Sequence, residues 1–445
     1  MPASACMNFM AQKNKTYYII TIGCQMNKVD SERLAAFLES AGYKLSASTD
    51  KAGVIIINTC GVRQMAEDRV YGLVNTIRLK NKAAKIVIAG CLSQRLDVQK
   101  RLLGRVDLFL PISEMPRLLD FLSGREFTPF FSLDEVRLKQ GEKYLAILPK
   151  HASAFTAYVP IGNGCNNFCA YCVVPYARGR EVYRPAREVL QEVKELAAKG
   201  YKEIVLIAQN VNSYQDKNYD FPKLLKAAIK VPGDFWLRFS SSHPKDMSDE
   251  LIRVFASSDK VCAHLHLAAQ SGDDEILKAM NRKYTAAHFE ALIKKVRAAK
   301  PGCVITTDVI VGFPGETKTQ FNHTAQLFKR VKFDLAYIAE YSPRPGTVSW
   351  KMKDNVPPAE KSRRAKMINE ILKETALKNN ESYRGQTLKV LVEGKNKRGK
   401  YYGKTGSYKM VLINGAKAGK SLVGKFVSVK IEHAYEFGLE GDILK

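Results

Sequence analysis

The chain has 445 residues, enough for two or three domains, and its 46% apolar content suffices to bury real cores and argues against disorder. Lys and Arg number 70 against 44 Asp and Glu, a net charge of +26. That excess favours a polyanionic partner, most simply nucleic acid, with a charged solvated surface as the plainer alternative.

Residues 1–15 show no apolar core of a signal peptide, and the clean apolar run at 54–57 is far too short to span a bilayer. A cytoplasmic chain without membrane partners is therefore expected. Its nine cysteines read as reduced thiols or metal ligands, not as a disulfide framework. Residues 17–22 form a β-prone run that stops at Gly23-Cys24, and Leu34, Ala35, Phe37 and Leu38 mark a following helix. Residues 53–60 predict a buried strand, 67–80 a helix, and 85–91 a third strand. Cys24, Cys60 and Cys91 thus fall at the carboxyl ends of predicted parallel strands, where open α/β sheets gather ligands. Buried free cysteines are common, so spacing alone leaves a ligand triad and three core thiols equally open. Residues 127–140 are mixed and linker-like.

From about residue 151 the pattern restarts. Strands at 155–161, 204–208, 236–239, 264–267, 304–311 and 335–341 alternate with helices at 185–199, 221–230, 249–256, 285–299 and 321–330. Six such strands without a dinucleotide-type split predict a partial (β/α)6 barrel. The first strand feeds Gly162-Asn163-Gly164-Cys165-Asn166-Asn167-Phe168-Cys169-Ala170-Tyr171-Cys172. This C-x3-C-x2-C loop supplies three thiolates to a cubane iron–sulfur cluster and leaves one iron unligated. Zinc normally takes paired cysteines with a fourth ligand, which the loop fits poorly. An open iron can bind S-adenosylmethionine and pass it an electron, the entry to radical chemistry. Tyr171, between two ligands, is placed to brace the adenine of that cofactor or to pack the loop. Val309-Ile310-Val311-Gly312-Phe313-Pro314-Gly315-Glu316-Thr317 is a strand and turn that, at a barrel mouth, can line the same adenine. His264 and His266 share one face of their strand and read as core histidines before metal ligands. Cys6, Cys262 and Cys303 lack matching company and read as ordinary thiols. Pro343, Pro345, Pro357 and Pro358 mark the barrel exit, and 360–379 is a charged amphipathic helix.

Beyond 382, short alternating strands are broken by Gly394, Gly399, Gly403, Gly406, Gly415, Gly419 and Gly424, as in a small antiparallel β-barrel of the OB-like kind. This segment holds 13 Lys and Arg against five Asp and Glu. Tyr401, Tyr402, Tyr408 and Phe426 interleave with the lysines, a pattern that fits a backbone-tracking surface with stacking platforms or, more plainly, a solvated barrel face.

Over roughly residues 15–445 the chain resembles the methylthiotransferase family of radical S-adenosylmethionine enzymes. It is most similar to the branch that makes 2-methylthio-N6-dimethylallyladenosine in tRNA. The resemblance rests on Gly23-Cys24-Gln25-Met26-Asn27, Asn58-Thr59-Cys60, Gly90-Cys91, the cysteine loop through Cys172-Val173-Val174-Pro175-Tyr176-Ala177-Arg178-Gly179-Arg180-Glu181, Gln209-Asn210-Val211-Asn212-Ser213-Tyr214, Ser242-His243-Pro244, Gln270-Ser271-Gly272, Gly312-Phe313-Pro314-Gly315-Glu316-Thr317 and Tyr341-Ser342-Pro343-Arg344-Pro345-Gly346-Thr347. It implies three parts: a methylthiotransferase domain at 15–130, a radical core at 151–380 and a TRAM domain at 382–445. It makes Cys24, Cys60 and Cys91 the ligands of an auxiliary 4Fe-4S cluster beside the cluster on Cys165, Cys169 and Cys172. It sets S-adenosylmethionine against Tyr171, Gln209, Asn210, Ile310 and Gly312, with no catalytic side chain beyond the cluster ligands. The implied substrate is a tRNA anticodon stem-loop, methylthiolated at C2 of N6-dimethylallyladenosine, with an electron-donor protein as second partner and a monomeric enzyme. Ala268-Ala269, Ala208 and Gly61-Val62 depart from the branch pattern, and Ala208 lies at the strand end expected to hold the cofactor's amino group. Two other readings stand. One is a related methylthiotransferase acting on threonylcarbamoyladenosine in tRNA or on a ribosomal protein, against which Gly23-Cys24-Gln25-Met26-Asn27 and Cys172-Val173-Val174-Pro175-Tyr176 speak. The other is a non-catalytic iron–sulfur or zinc RNA-binding protein, against which the open cysteine loop speaks.

Overall fold

The structure, a computed structural model, describes residues 15–61, 64–125, 144–415 and 421–444. The expected linker at 127–140, with Cys6, Val62 and Gly419, lies outside the described residues. The chain divides into two compact units. The first comprises Met1–Ala152, Gly162–Arg184 and Arg344–Thr347; the second comprises Ser153–Ile161, Pro185–Pro343 and Val348–Lys445.

In the first unit, β1 (Thr16–Thr21), β2 (Lys44–Leu45), β3 (Val54–Thr59), β4 (Lys85–Gly90) and β5 (Leu108–Leu110) form one parallel sheet, ordered β2-β1-β3-β4-β5. β3 is buried along its whole length and β4 nearly so, because both faces of the sheet are covered. Val54, Ile56 and Val87 pack with Leu34 and Leu38 of α1 (Gln25–Ser40) on one face. Ile55, Ile57, Ile86 and Ile88 pack with Val70, Val74 and Ile77 of α2 (Gln64–Lys80) on the other. Burial on both faces is why these strands read as unbroken apolar runs. Cys60 and Cys91 directly follow β3 and β4, and Cys24 lies three residues past β1. The cysteine loop belongs to this unit. An antiparallel pair, Gly162–Asn163 with Val182–Tyr183, closes its ends, and a short helix, Val174–Arg178, follows the last cysteine.

In the second unit, β6 (Thr156–Pro160), β7 (Glu203–Ile207) and β8 (Trp236–Ser240) pair in parallel, as do β9 (His264–His266), β10 (Val304–Val311) and β11 (Leu335–Glu340). Between β8 and β9 the ladder shrinks to the parallel bridges Leu237–Val261 and Ser242–Leu267. Helices α3 (Ala186–Ala198), α4 (Phe221–Ile229), α5 (Asp249–Ala256), α6 (Ala286–Ala299) and α7 (Lys318–Val331) alternate with the strands, as the partial barrel expected. α8 (Pro358–Glu381) packs on β11 and leads to the C-terminal barrel.

That barrel is closed in the order β12 (Thr387–Lys395), β13 (Tyr401–Thr405), β14 (Met410–Asn414), β16 (Gly438–Ile443), β15 (Phe426–Tyr435). Its pairings are antiparallel except β14–β16, which is parallel. Five strands in a ring cannot alternate direction throughout, so one parallel pairing is a geometric necessity of closure. Several of its side chains pack onto the strand starts of the six-stranded barrel. Lys404 Nζ lies 2.7 Å from Glu203 and 2.7 Å from Glu393. Lys409 Nζ lies 2.6 Å from Asp334. Phe426 packs on Trp236 with centroids 4.7 Å apart. Tyr408, at φ +67°, stacks on His264 at 4.5 Å, with the Arg238 guanidinium over the tyrosine ring. Among the described residues no helix is long and apolar enough to cross a membrane.

Candidate cluster and cofactor sites

Glycine placement lets the three strand-end loops of the first unit meet. Gly23 has φ +136°, and a Cβ there would stand 2.8 Å from the Cys60 Cβ. Gly90 has φ +83°, and a Cβ there would stand 2.5 Å from the Thr59 carbonyl oxygen. Either clash would force the loops apart, and both conformations favour glycine. Gly61 in turn lies against Cys91, its ideal Cβ 3.2 Å from the Cys91 Cβ. Asn27 ties the loops together. Its Nδ2 donates to Ile22 O (3.3 Å), Asn58 Oδ1 (3.2 Å) and Thr59 O (2.8 Å), and its Oδ1 accepts from Cys24 Sγ (3.3 Å). Asn58 returns Nδ2 to Asn27 O (2.8 Å) and Ser31 Oγ (3.0 Å). Cys60 and Cys91 are buried and Cys24 is exposed, so the triad opens on one side.

The cysteine loop is held as tightly. At Gly164, φ +83°, a Cβ would fall 2.1 Å from Arg180 O. Phe168, between Cys165 and Cys169, takes φ +46°. Val174 N–H points at Cys172 Sγ (3.4 Å) and Asn167 Nδ2 at Cys165 Sγ (3.5 Å), donors suited to sulfur that carries charge. Burial pushes the Cys165 thiol up to about 11 and raises Cys172 further, with Cys169 adding to both. Burial disfavours the bare thiolate here as it does at Cys262 and Cys303, so the shift alone does not mark a metal site. Among the described residues no three His, Cys, Asp or Glu side chains converge as around a single metal ion. The ligands of a cubane each bind a different iron, so its three thiols stand apart at its corners. Three loop thiols, two of them with N–H donors aimed at sulfur, fit a four-iron cluster with an open iron.

The two triads are neighbours within the unit. Val173 Cγ2 lies 3.1 Å from the ideal Cβ of Gly61, and Gln94 Nε2 donates to Ala177 O at 3.1 Å. Cys91 is close enough to bear on the Cys172 thiol.

Of the cofactor contacts expected from sequence, Tyr171 is half-buried in the loop of the first unit, and the other four lie in the second. Gln209 and Asn210 follow β7, and Ile310 and Gly312 stand at the end of β10. Asn210 Nδ2 donates to Asp246 at 2.7 Å, while Asn210 Oδ1 and Gln209 Oε1 are buried without a hydrogen-bond partner. Gly312, φ +71°, donates its N–H to Glu316 Oε2 at 2.6 Å, and a Cβ there would strike Lys361 Cγ at 2.3 Å. Glu316 also holds Arg364 at 2.7 Å, so this carboxylate fixes the turn. Sequence reasoning gave no role to two further residues at neighbouring strand ends. Ser242 Oγ and Gln270 Oε1 are buried and unpartnered, and Gln270 sits at φ +64°. The signal was available, since both lie in motifs that carried the resemblance. His264 is a buried residue of the barrel floor, and His266 bonds Thr306 (3.0 Å) and Asp308 (3.1 Å). The interleaved aromatics of the C-terminal barrel mostly face inward: Tyr401 is in the barrel core, Tyr408 is on His264 and Phe426 is on Trp236.

Residues 16–110 match the Uncharacterized protein family UPF0004, 159–328 the Radical SAM superfamily, and 381–444 the TRAM domain. A tRNA-2-methylthio-N(6)-dimethylallyladenosine synthase of Carboxydothermus hydrogenoformans is 43% identical over 438 residues, covering 96% of this chain and 99% of that one. A protein of the same name from Clostridium novyi is 40% identical over 442 residues, 97% of each chain. Among solved structures, the radical S-adenosylmethionine methyltransferase TsrM of Kitasatospora setae, with cobalamin and a 4Fe-4S cluster bound, has a TM-score of 0.58 at 13% identity. It covers 76% of this chain and 74% of that one, a likeness of fold alone.

Proposed function

The chain belongs to the family of tRNA-2-methylthio-N(6)-dimethylallyladenosine synthases, radical S-adenosylmethionine enzymes, and from that premise we propose that it inserts a methylthio group at C2 of N6-dimethylallyladenosine beside the tRNA anticodon. The observation that carries the reading is the pair of cysteine triads, neighbours within one unit.

The C2 hydrogen is unactivated, so no acid–base side chain can remove it usefully. Bound to the chain, a four-iron cluster with an open iron would supply the electron by which S-adenosylmethionine becomes able to abstract that hydrogen. Cys165, Cys169 and Cys172 would hold that cluster. Cys24, Cys60 and Cys91 would hold a second one, which would serve as the carrier of the inserted sulfur. Tyr171, Gln209, Asn210, Ile310 and Gly312 remain the proposed cofactor contacts. The unpartnered oxygens of Gln209 and Asn210 suit the cofactor's ammonium group, which has only donors to offer.

The target base must leave its loop stack, which is cheapest in a single-stranded anticodon loop. Basic side chains would hold the stem through phosphates, which position RNA without reading sequence. Among the described residues, Lys395, Lys397, Arg398 and Lys400 are exposed together at the turn between β12 and β13. The three-part division at 15–130, 151–380 and 382–445, an electron-donor protein, a monomeric state and a cytoplasmic setting belong to the same proposal.

Mass spectrometry of tRNA nucleosides from cells with and without the gene tests the reading. Loss of the 2-methylthio form with build-up of N6-dimethylallyladenosine is expected. Loss of methylthiolated threonylcarbamoyladenosine instead would hand the function to the sibling reaction, and an unchanged nucleoside profile would refute both.

A further inference from the structure

We propose that Arg178 is a positioning residue that fixes both the spacing and the charge between the two cysteine triads; this rests on the two-cluster reading above. Arg178 is the last residue of the helix Val174–Arg178 that follows Cys172, and it is only 4% exposed. Its NH1 donates to Asn163 Oδ1 at 3.0 Å, and Asn163 Nδ2 returns a bond to Arg178 O at 3.4 Å. Asn163 precedes the loop and Arg178 follows it, so this pair ties the loop's two ends. The NH2 group turns the other way. It donates to Asp30 Oδ2 at 2.5 Å and to Asn27 Oδ1 at 3.5 Å. Asn27 is the residue that binds Cys24 Sγ, the Ile22 carbonyl of the same strand end and the Thr59 carbonyl beside Cys60. One guanidinium therefore joins the frame of one triad to the frame of the other. Asp30 is fully buried and also accepts from Tyr144 OH, which fixes its orientation.

Geometry alone does not need a charge at this point. A buried ion pair returns little more than it costs, and an apolar contact of the same shape would lock the loops as well. A fixed cation in a low-dielectric site does something an apolar contact cannot: it lowers the energy of nearby negative charge. Asn27 Oδ1 accepts from both Arg178 NH2 at 3.5 Å and Cys24 Sγ at 3.3 Å, so the cation stands one side chain away from the strand-end triad. Thiolate-ligated clusters take their potentials from nearby charge and hydrogen bonds. Arg178 would favour the reduced, more negative form of the cluster on Cys24, Cys60 and Cys91, and Asp30 would oppose it.

The test uses the full chain loaded with iron and sulfide, in Arg178→Gln, Arg178→Lys and Asp30→Asn variants. Iron content, cluster potentials followed by electron paramagnetic resonance, 5′-deoxyadenosine and methylthio product are measured on each. Removing the cation should move the strand-end cluster to a more negative potential, and removing the anion to a more positive one. Arg178→Lys keeps the charge but not the fork, so its potential should stay near wild type. Product should fall about 10–100-fold in all three, as for other residues that orient metal ligands, while 5′-deoxyadenosine still forms. Shifts of the same sign in Arg178→Gln and Asp30→Asn, or unmoved potentials in both, would overturn the proposal in favour of a plain structural lock. Wild-type protein holding about four irons rather than about eight would instead sink the two-cluster reading beneath it.

Discussion

Replacing Lys404 by methionine should cost the second unit about 3 kcal/mol, because that lysine serves a buried carboxylate and not solvent. Its side chain is 9% exposed, and the Glu203 side chain it meets is not exposed at all. Burial alone would raise the Glu203 carboxyl, but Arg238 and Lys404 outweigh it and hold the group below its ordinary range. Methionine matches the length of the lysine stem and removes only the charge. Breaking a buried pair by deleting one partner typically costs about 3–5 kcal/mol. The lower end applies here, because Glu203 keeps Arg238 at 3.0 Å and Glu393, with its side chain 25% exposed, can turn to water.

Lys409→Met should cost less, about 2 kcal/mol, since Asp334 keeps the Ile305 N–H (3.0 Å) and Asn379 Nδ2 (3.2 Å). The two together approach the whole stability of an ordinary domain. Deleting the C-terminal barrel would remove both lysines and also strip Phe426 from Trp236. Such a truncation should therefore fail to fold properly, and it cannot serve as a probe of RNA binding. Urea unfolding of the full chain, read by tryptophan fluorescence, measures the effect, because Trp236 and Trp350 both belong to the second unit. The midpoint of Lys404→Met should fall by about 1 M, while that of Lys397→Met, on the exposed turn, should stay within about 0.2 M of wild type. Equal midpoints for the two variants would refute the reasoning.

Neutralising Lys395, Lys397, Arg398 and Lys400 together as glutamines should weaken tRNA binding and reduce the slope of log affinity against log salt by about 3, with urea stability unchanged; an unaltered slope would place the RNA elsewhere. Replacing Cys24, Cys60 and Cys91 by alanine should lower iron from about eight to about four per chain and abolish methylthio product, yet leave 5′-deoxyadenosine formation from the reduced enzyme; an unchanged iron count would rule out the second cluster. His243 is pushed down to about 2 by burial, helped by Arg282 and Lys245, so its folded value lies below its unfolded one. Its stabilisation is present above about pH 6.5 and is lost as pH falls, reaching about 2 kcal/mol at pH 5. His243→Asn should flatten the loss of stability between pH 7 and 5 by that amount, and an equally steep loss would show that the histidine takes up no proton on unfolding.

The strand ends were legible because of how the strands are covered. Val54–Thr59 and Lys85–Gly90 are buried on both faces, so each announces itself as an apolar run, and a cysteine at its end inherits a known position. Lys44–Leu45 is exposed and two residues long, and its sequence carries no pattern that could reveal it. Arg178 and Asp30 were each visible, but 148 residues separate them, and no period along the chain encodes their meeting.

The lysines of the C-terminal barrel present the harder case. A Lys/Tyr alternation looks the same whether the lysines face phosphate or face carboxylates of the same chain. Here Lys404 and Lys409 neutralise Glu203 and Asp334, and Lys389 lies 3.1 Å from Asp234. The excess of basic residues in that segment therefore overstates what is free for RNA, because part of it balances negative charge on the six-stranded barrel. Among the described residues, Lys395, Lys397, Arg398 and Lys400 are exposed together at one turn, where Lys400 makes a half-exposed contact of 3.3 Å with Glu440. Such a contact is worth about 1 kcal/mol at most and yields readily to a phosphate. Charge counted along a sequence bounds the attraction to a polyanion, while burial decides which residues exert it.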